Sequence, residues 1–234
     1  MRVHVAFTPA EEISAQLGIV VDVLRATSTI TQALAHGYRR VLCTEEVEHA
    51  RELAAGIEGA KLGGERRTVR IDGFDFGNSP RELRESPPAD TLVMTTTNGT
   101  KLLLSAASRC ETVFVGSLLN LSAVAMAARA YDEVLIMCAG VLGELTVDDA
   151  YVAGRIAEAI GGDHHDSAAV AIRLAQSFDH SLDGLEASQS ARDLHGAGNE
   201  ADIADCARES VLDTVGVLTQ LVDGAAEVVA LSAA

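Results

Sequence analysis

Tryptophan is absent from this 234-residue chain, and aromatic residues make up only 3% of it. Its core must therefore be aliphatic. Val and Ile do cluster in short runs between Ala- and Leu-rich segments, the alternation expected of an α/β architecture. Basic residues are also scarce: 18 Lys and Arg stand against 34 Asp and Glu, for a net charge of −16. That balance excludes ordinary nucleic-acid binding, which rests on neutralising phosphates with basic side chains, and disfavours anionic membrane surfaces. An anionic small molecule would need a local positive site or a metal to overcome the global field. The four cysteines, Cys43, Cys110, Cys138 and Cys206, form no C-x-x-C pair, as expected of a reduced, cytoplasmic compartment. No apolar run is long enough to span a bilayer, and Met1–Val5 lacks a signal-peptide pattern. Repeats and low-complexity segments are missing, and the length fits a single domain, residues 1–234.

What is present is concentrated at Ile19–Thr29. The apolar run that starts at Ile19 reads as a buried strand, expected over Ile19–Val23, that delivers Asp22 near its end. Arg25 follows, then Thr27 and Ser28 ahead of a helix expected over Ile30–His36. Ligands in open α/β sheets bind beyond the carboxyl ends of strands, and helix N-termini favour anions. Asp22 is thus a candidate metal ligand or nucleophile, or else a helix cap or a partner for Arg25. Arg25 can grip phosphate bidentately or form a structural ion pair. Thr27 and Ser28 offer hydroxyls to the same anion.

A second cluster, Thr96-Thr97-Asn98-Gly99-Thr100, places hydroxyls, an amide and backbone N–H groups where the strand Thr91–Thr95 should run into a helix over Lys101–Ala107. It is a candidate oxyanion cradle, although an Asn-Gly turn with a Thr cap has the same composition. It lacks P-loop spacing. Glu65 and Asp75 lie in segments read as turn-rich or looped, Lys61–Arg67 and Asp72–Pro80. With Asp22 they form a candidate Mg²⁺ site, because Mg²⁺ needs few carboxylates besides water and phosphate oxygens. Cys138 ends the strand Val134–Met137 and precedes Gly140. An arginine six residues on would suit a cysteine phosphatase, but Glu144 stands there, so Cys138 reads as a core or site-lining residue. Thr146 with Asp149 resembles a capping box ahead of a helix over Val147–Ile160, and Asp148 and Asp149 read as acids favoured by that helix's dipole. Further strands are expected at Val3–Phe7, Val41–Thr44, Thr112–Gly116 and Glu227–Leu231. Helices are expected at Val47–Ala55, Ser122–Ala130, Ala168–Gln176 and Ala201–Ser210.

Five segments, Val21–Thr29, Gly63–Arg66, Gly73–Pro80, Thr95–Thr100 and Cys138–Gly140, stand in the order in which they occur in the 2-phosphosulfolactate phosphatase (ComB-like) family, which the chain resembles from Phe7-Thr8-Pro9 to Ala207. The resemblance implies a three-layer α/β/α fold with a mixed sheet. It also implies a Mg²⁺-dependent phosphatase that hydrolyses 2-phospho-3-sulfolactate to 3-sulfolactate and phosphate on the route to coenzyme M. On that reading Asp22, Glu65 and Asp75 hold the metal, and Arg25 and Thr96–Thr100 hold the phosphoryl group. Asn78 and Ser79 meet the sulfonate or carboxylate end. The D-x-D-x-T pattern of aspartyl-phosphate enzymes is missing, since Val23-Leu24 follows Asp22. The chain departs from the family pattern at Val141–Leu145, which is unusually apolar, and at Val215-Gly216-Val217. The alternatives are a phosphatase for another small phosphorylated 2-hydroxy acid and a non-catalytic anion-binding protein. The Ala-rich, aliphatic helices suggest a homodimer.

Overall fold

A computed structural model describes residues 1–232. The chain begins with β1 (Arg2–Ala6), β2 (Ala15–Val21), α1 (Ala26–Ala35), β3 (Arg40–Cys43) and α2 (Val47–Ala55). The hairpin of β4 (Lys61–Arg66) and β5 (Val69–Arg70) comes next, then α3 (Pro80–Glu85). Three strand–helix units follow: β6 (Thr91–Thr95) with α4 (Gly99–Ala107), β7 (Cys110–Gly116) with α5 (Leu121–Ala128), and β8 (Glu133–Cys138) with α6 (Val147–Ile160). After β9 (Asp163–His164), helices α7 (Asp166–Ala175), α8 (Ser181–Glu186), α9 (Gln189–Gly196) and α10 (Ala201–Cys206) lead to the hairpin β10 (Gly216–Val222) and β11 (Ala225–Ala230).

The strands form one mixed sheet in the order β5-β4-β6-β3-β11-β10-β7-β2-β8-β1-β9. Two parallel groups, β4-β6-β3 and β7-β2-β8-β1-β9, flank the antiparallel β10–β11 hairpin. Three antiparallel pairings thus separate the groups, while twist of roughly 20–25° per strand accumulates across them. The exits of β2 and β6 nonetheless meet, with Gly99 lying against Asp22.

The alternation of β2 shows why helices cover both faces. Ile19 and Val21 pack with Tyr151 and Ile156 of α6, whereas Val20 packs with Ile30 of α1 and Leu102 of α4. The fold is accordingly the expected three-layer α/β/α. The end of β2, Ile19–Val21, is buried on both faces and apolar at every position, which is why it reads as an unbroken run.

Several boundaries differ from the sequence reading. Lys61–Arg66 is a strand, not a turn: Gly64 sits where a Cβ would lie 2.2 Å from Thr95 O, so the glycine permits close approach to β6. Helix α1 starts at Ala26 rather than Ile30, and α4 at Gly99 rather than Lys101. Pro80 opens α3, with Ser79 as its cap; proline suits that first position because its missing N–H has no partner there. Thr146 makes no cap bond, and its buried hydroxyl lacks a partner, so the capping box is not formed.

Candidate active site

A cavity of about 720 Å³ opens beyond the ends of β2, β4 and β6, closed on the far side by α9. Asp22 lies at its base. The Asp22 N–H donates to Thr27 Oγ1 (3.1 Å), and Asp22 Oδ1 accepts from the Ala26 N–H (3.1 Å), which fixes the carboxylate at the start of α1. Its other oxygen, Oδ2, approaches α4 so closely that a Cβ on Gly99 would come within 2.6 Å of it. Burial raises the Asp22 pKa from 3.8 to about 7, and repulsion from Glu65 and Asp148 adds to the shift. The Ala26 hydrogen bond and Arg25 oppose it.

Asp149 ties two site loops together. Its Oδ1 accepts from Val23 N and its Oδ2 from Gly140 N, both at 2.9 Å. Burial, with Asp148 and Asp22 nearby, holds its pKa well above the usual carboxylate range. Asp148, also buried, has its pKa raised chiefly by burial and keeps one oxygen, Oδ1, without a partner. The two acids open α6 as expected, but they are buried behind the cavity and do not line it.

Arg25 lines the cavity with its guanidinium held from behind. Nη1 donates to Asp202 Oδ2 at 2.6 Å and Nη2 to Thr68 O at 3.2 Å. Ser79 Oγ donates to the other Asp202 oxygen at 2.7 Å. The ion-pair reading and the cavity-lining reading of Arg25 thus hold together, with Asp202 fixing the fork.

Glu65 accepts from Thr97 N (2.8 Å) and Thr97 Oγ1 (2.9 Å) through Oε1, and from Thr68 N (2.8 Å) through Oε2. It braces the start of α4 while facing the cavity. Asn98 also lines the wall and accepts from Leu142 N at 3.4 Å. Neither Asn98 nor Gly99 donates its backbone N–H to another group among the described residues. Asn78 lines the cavity with a buried amide oxygen that has no partner.

A family profile described as 2-phosphosulpholactate phosphatase matches residues 4–220. A probable 2-phosphosulfolactate phosphatase of Thermotoga maritima is 36% identical over 92% of this chain and 95% of its own length. One from Thermus thermophilus is 38% identical over 93% and 94%. A 2-phosphosulfolactate phosphatase of Methanothermobacter thermautotrophicus is 38% identical over 93% and 92%. The chain belongs to the 2-phosphosulfolactate phosphatase family. Its members are phosphoric monoester hydrolases by name.

Some of the residues expected of such a phosphatase lie elsewhere. Asp75 is not at the cavity: it pairs with Lys61 Nζ (2.9 Å) and accepts from Leu62 N (2.9 Å), so its charge is already engaged on the outside of β4. Ser79 is spent on Asp202 and on capping α3 through Glu82 N. Thr27 accepts from Asp22 N, and Ser28 Oγ donates to Val23 O, so both hydroxyls shape the loop instead of facing a ligand. Thr96 and Thr100 bond to each other. Cys138 is buried in the core with its thiol pKa pushed well up by burial, which rules out a thiolate. Gly140, at φ +60, gives its N–H to Asp149, and a Cβ there would lie 2.1 Å from Glu144 O. The apolar departure Val141–Leu142 forms part of the cavity rim. Asp149 and Asp202, which the sequence reading did not place in the site, lie 126 and 177 residues from their partners Val23 and Arg25, so no local motif announces them.

Proposed function

We propose that this protein is a Mg²⁺-dependent phosphatase that hydrolyses 2-phospho-3-sulfolactate to 3-sulfolactate and phosphate, a step on the route to coenzyme M. One observation carries the reading: a buried carboxylate, Asp22, sits in a cavity against the N-terminus of α4, with the Arg25 guanidinium on the same wall. A helix start and a bidentate cation are what a phosphoryl group requires.

The donor set fits Mg²⁺. Asp22 and Glu65 both face the cavity, and Asp148 and Asp149 add negative charge below them, while Arg25 is already neutralised by Asp202. Among the described residues no three His, Cys, Asp or Glu side chains form a metal-holding group. A bound Mg²⁺ would therefore have to be held by one or two carboxylates and completed by water and phosphate oxygens. Asp22 would be the principal ligand and Glu65 the next, and a bound ion would supply charge neutralisation as the P–O bond breaks.

The chain's own residues position and orient. Arg25 and the free N–H groups of Asn98 and Gly99 take up phosphoryl oxygens. Asn78 offers its amide NH2 as a donor to the carboxylate and sulfonate of the substrate, whose oxygens only accept. Catalysis of this kind is mostly positioning and electrostatics. With Oδ1 committed to Ala26 N, Oδ2 is the oxygen left to face the substrate, and because the D-x-D-x-T pattern of aspartyl-phosphate enzymes is missing, we assign Asp22 to orienting a water rather than to attacking phosphorus. The test is Asp22→Asn: turnover should fall at least about 100-fold, the scale of losing a charge contact to the transition state, with the circular dichroism of the native fold retained. A variant with near wild-type kcat would overturn the assignment.

A further inference from the structure

The turn that joins β4 to β5 is unusual for its residues. Glu65 pairs with Arg70 and Arg66 with Val69, which leaves only Arg67 and Thr68 for the bend. Both adopt left-handed backbone, with φ of 51° and 66°. Two-residue turns of this kind strongly prefer Asn-Gly or Asp-Gly, and a β-branched residue at positive φ is an outlier. Such conformations persist where the surroundings over-determine them. Here Thr68 N donates to Glu65 Oε2 (2.8 Å), and Thr68 O accepts from Arg25 Nη2 (3.2 Å) and Asn199 Nδ2 (3.1 Å). The tip is therefore clamped by two residues of the cavity and one from the segment before α10.

The clamp places Arg67 on the cavity wall. The other arginines there are engaged: Arg25 with Asp202, and Arg192 with Gln189 Oε1 and Ala187 O. The Arg67 side chain makes no hydrogen bond or ion pair among the described residues. In a chain of net charge −16, a free guanidinium held at a cavity by a strained turn has the chemistry of an oxyanion receptor.

We propose that Arg67 is the specificity-determining residue that binds the second strong acid of the substrate, the sulfonate on the carbon next to the one that carries the phosphoryl ester. This rests on the phosphatase reading above and names which part of the substrate each end of the cavity takes. Arg25 and α4 hold the phosphoryl end, and Arg67 selects for an anion at the other.

The experiment compares kcat/KM for 2-phosphosulfolactate and for 2-phospholactate, which lacks the sulfonate, in the Mg²⁺-loaded protein. R67A should lose about 30-fold on the sulfonated ester, mainly through KM, as for a lost hydrogen bond to a charged group. It should change little on 2-phospholactate. R67K should lie between, since it keeps the charge without the fork. R70A, altering an exposed arginine outside the cavity, should match wild type. Equal losses on both esters, or none on either, would overturn the proposal while leaving the phosphatase reading intact. If wild type releases no phosphate from either ester, the phosphatase reading fails, and calorimetric binding of 3-sulfolactate decides: weaker binding by R67A than by wild type supports the anion receptor, and equal or absent binding overturns it.

Discussion

Asp22 and Glu227 are carboxylates whose environments push their pKa values in opposite directions, and the consequences for stability are opposite too. Burial lifts Asp22 from 3.8 to about 7, so the folded chain binds its proton more tightly than the unfolded one. Stability from this group is full below pH 3.8 and is lost as pH rises toward 7. We expect Asp22→Asn to raise the melting temperature at pH 8 in EDTA relative to wild type. Mg²⁺ should raise the wild-type midpoint and leave the variant's unchanged; a variant that responds to Mg²⁺ like wild type would remove Asp22 from the ligand set. Glu227 is partly desolvated, but hydrogen bonds from Gln220, Arg40 and Thr219 hold its pKa below the ordinary 4.5. Its contribution is present above 4.5 and disappears as pH falls through the lowered folded value. Glu227→Gln should therefore be less stable than wild type at pH 7, with the gap closing toward pH 3 in thermal melts. Burial pushes the Cys43 and Cys206 thiols up to about 12 and holds Cys138 well above the ordinary thiol value, whereas Cys110 is partly exposed. Iodoacetamide at pH 8 should label Cys110 first in the native protein, and early labelling of the other three would contradict their burial.

At the scale of elements, the site depends on close approach at α4. A Cβ on Gly99 would lie 2.6 Å from both Asp22 Oδ2 and Ala26 Cβ. Gly99→Ala should thus displace α4 or the carboxylate, costing about 1–3 kcal/mol of stability as overpacking does and at least about tenfold in kcat/KM. Urea unfolding and phosphate release on the same preparation would check both. Strands β2, β6 and β8 were legible because their buried stretches Ile19–Val21, Leu92–Met94 and Val134–Met137 are continuous apolar runs. Strand β4 was not, since Gly63-Gly64 imitates a turn while serving contact with β6. Strand β10 was missed because its alternation with β11 is broken by an irregularity between Leu218 and Gln220. A usable signal was present: Asp223-Gly224, at φ 49° and 85°, is the hairpin turn between them. The start of α1 was misplaced because the β-branched and hydroxyl residues Thr27, Ser28 and Thr29 suggested a cap, whereas Asp22 makes the bond to the first helical N–H, at Ala26.

Across the whole molecule, the site lies where six stretches of chain meet: the exit of β2, the β4–β5 hairpin, the loop before α3, the start of α4, the segment after β8, and α9. The sequence announces the local half of this assembly, with Asp22, Arg25, Glu65, Asn78, Thr97 and Asn98 all placed at the cavity as expected. The other half, Asp149, Asp202 and the Arg67-Thr68 turn, arises from tertiary contacts with no spacing to betray them. Asp75 was drawn in by the same Gly-Asn-Pro-rich loop that carries Asn78, but the loop turns its carboxylate outward to Lys61. Among the described residues no helix is long and apolar enough to cross a membrane. A strongly acidic molecule needs countercharge at its cavity if it is to take a multiply charged anion, so the proposed metal and the proposed ester are best tested together. The most direct test is therefore phosphate release from 2-phosphosulfolactate, with Mg²⁺ and with EDTA, beside phosphoglycolate and 2-phosphoglycerate. Mg²⁺-dependent release with the highest kcat/KM for the sulfonated ester is the expected result. No release from 2-phosphosulfolactate by folded, Mg²⁺-loaded protein would contradict the account.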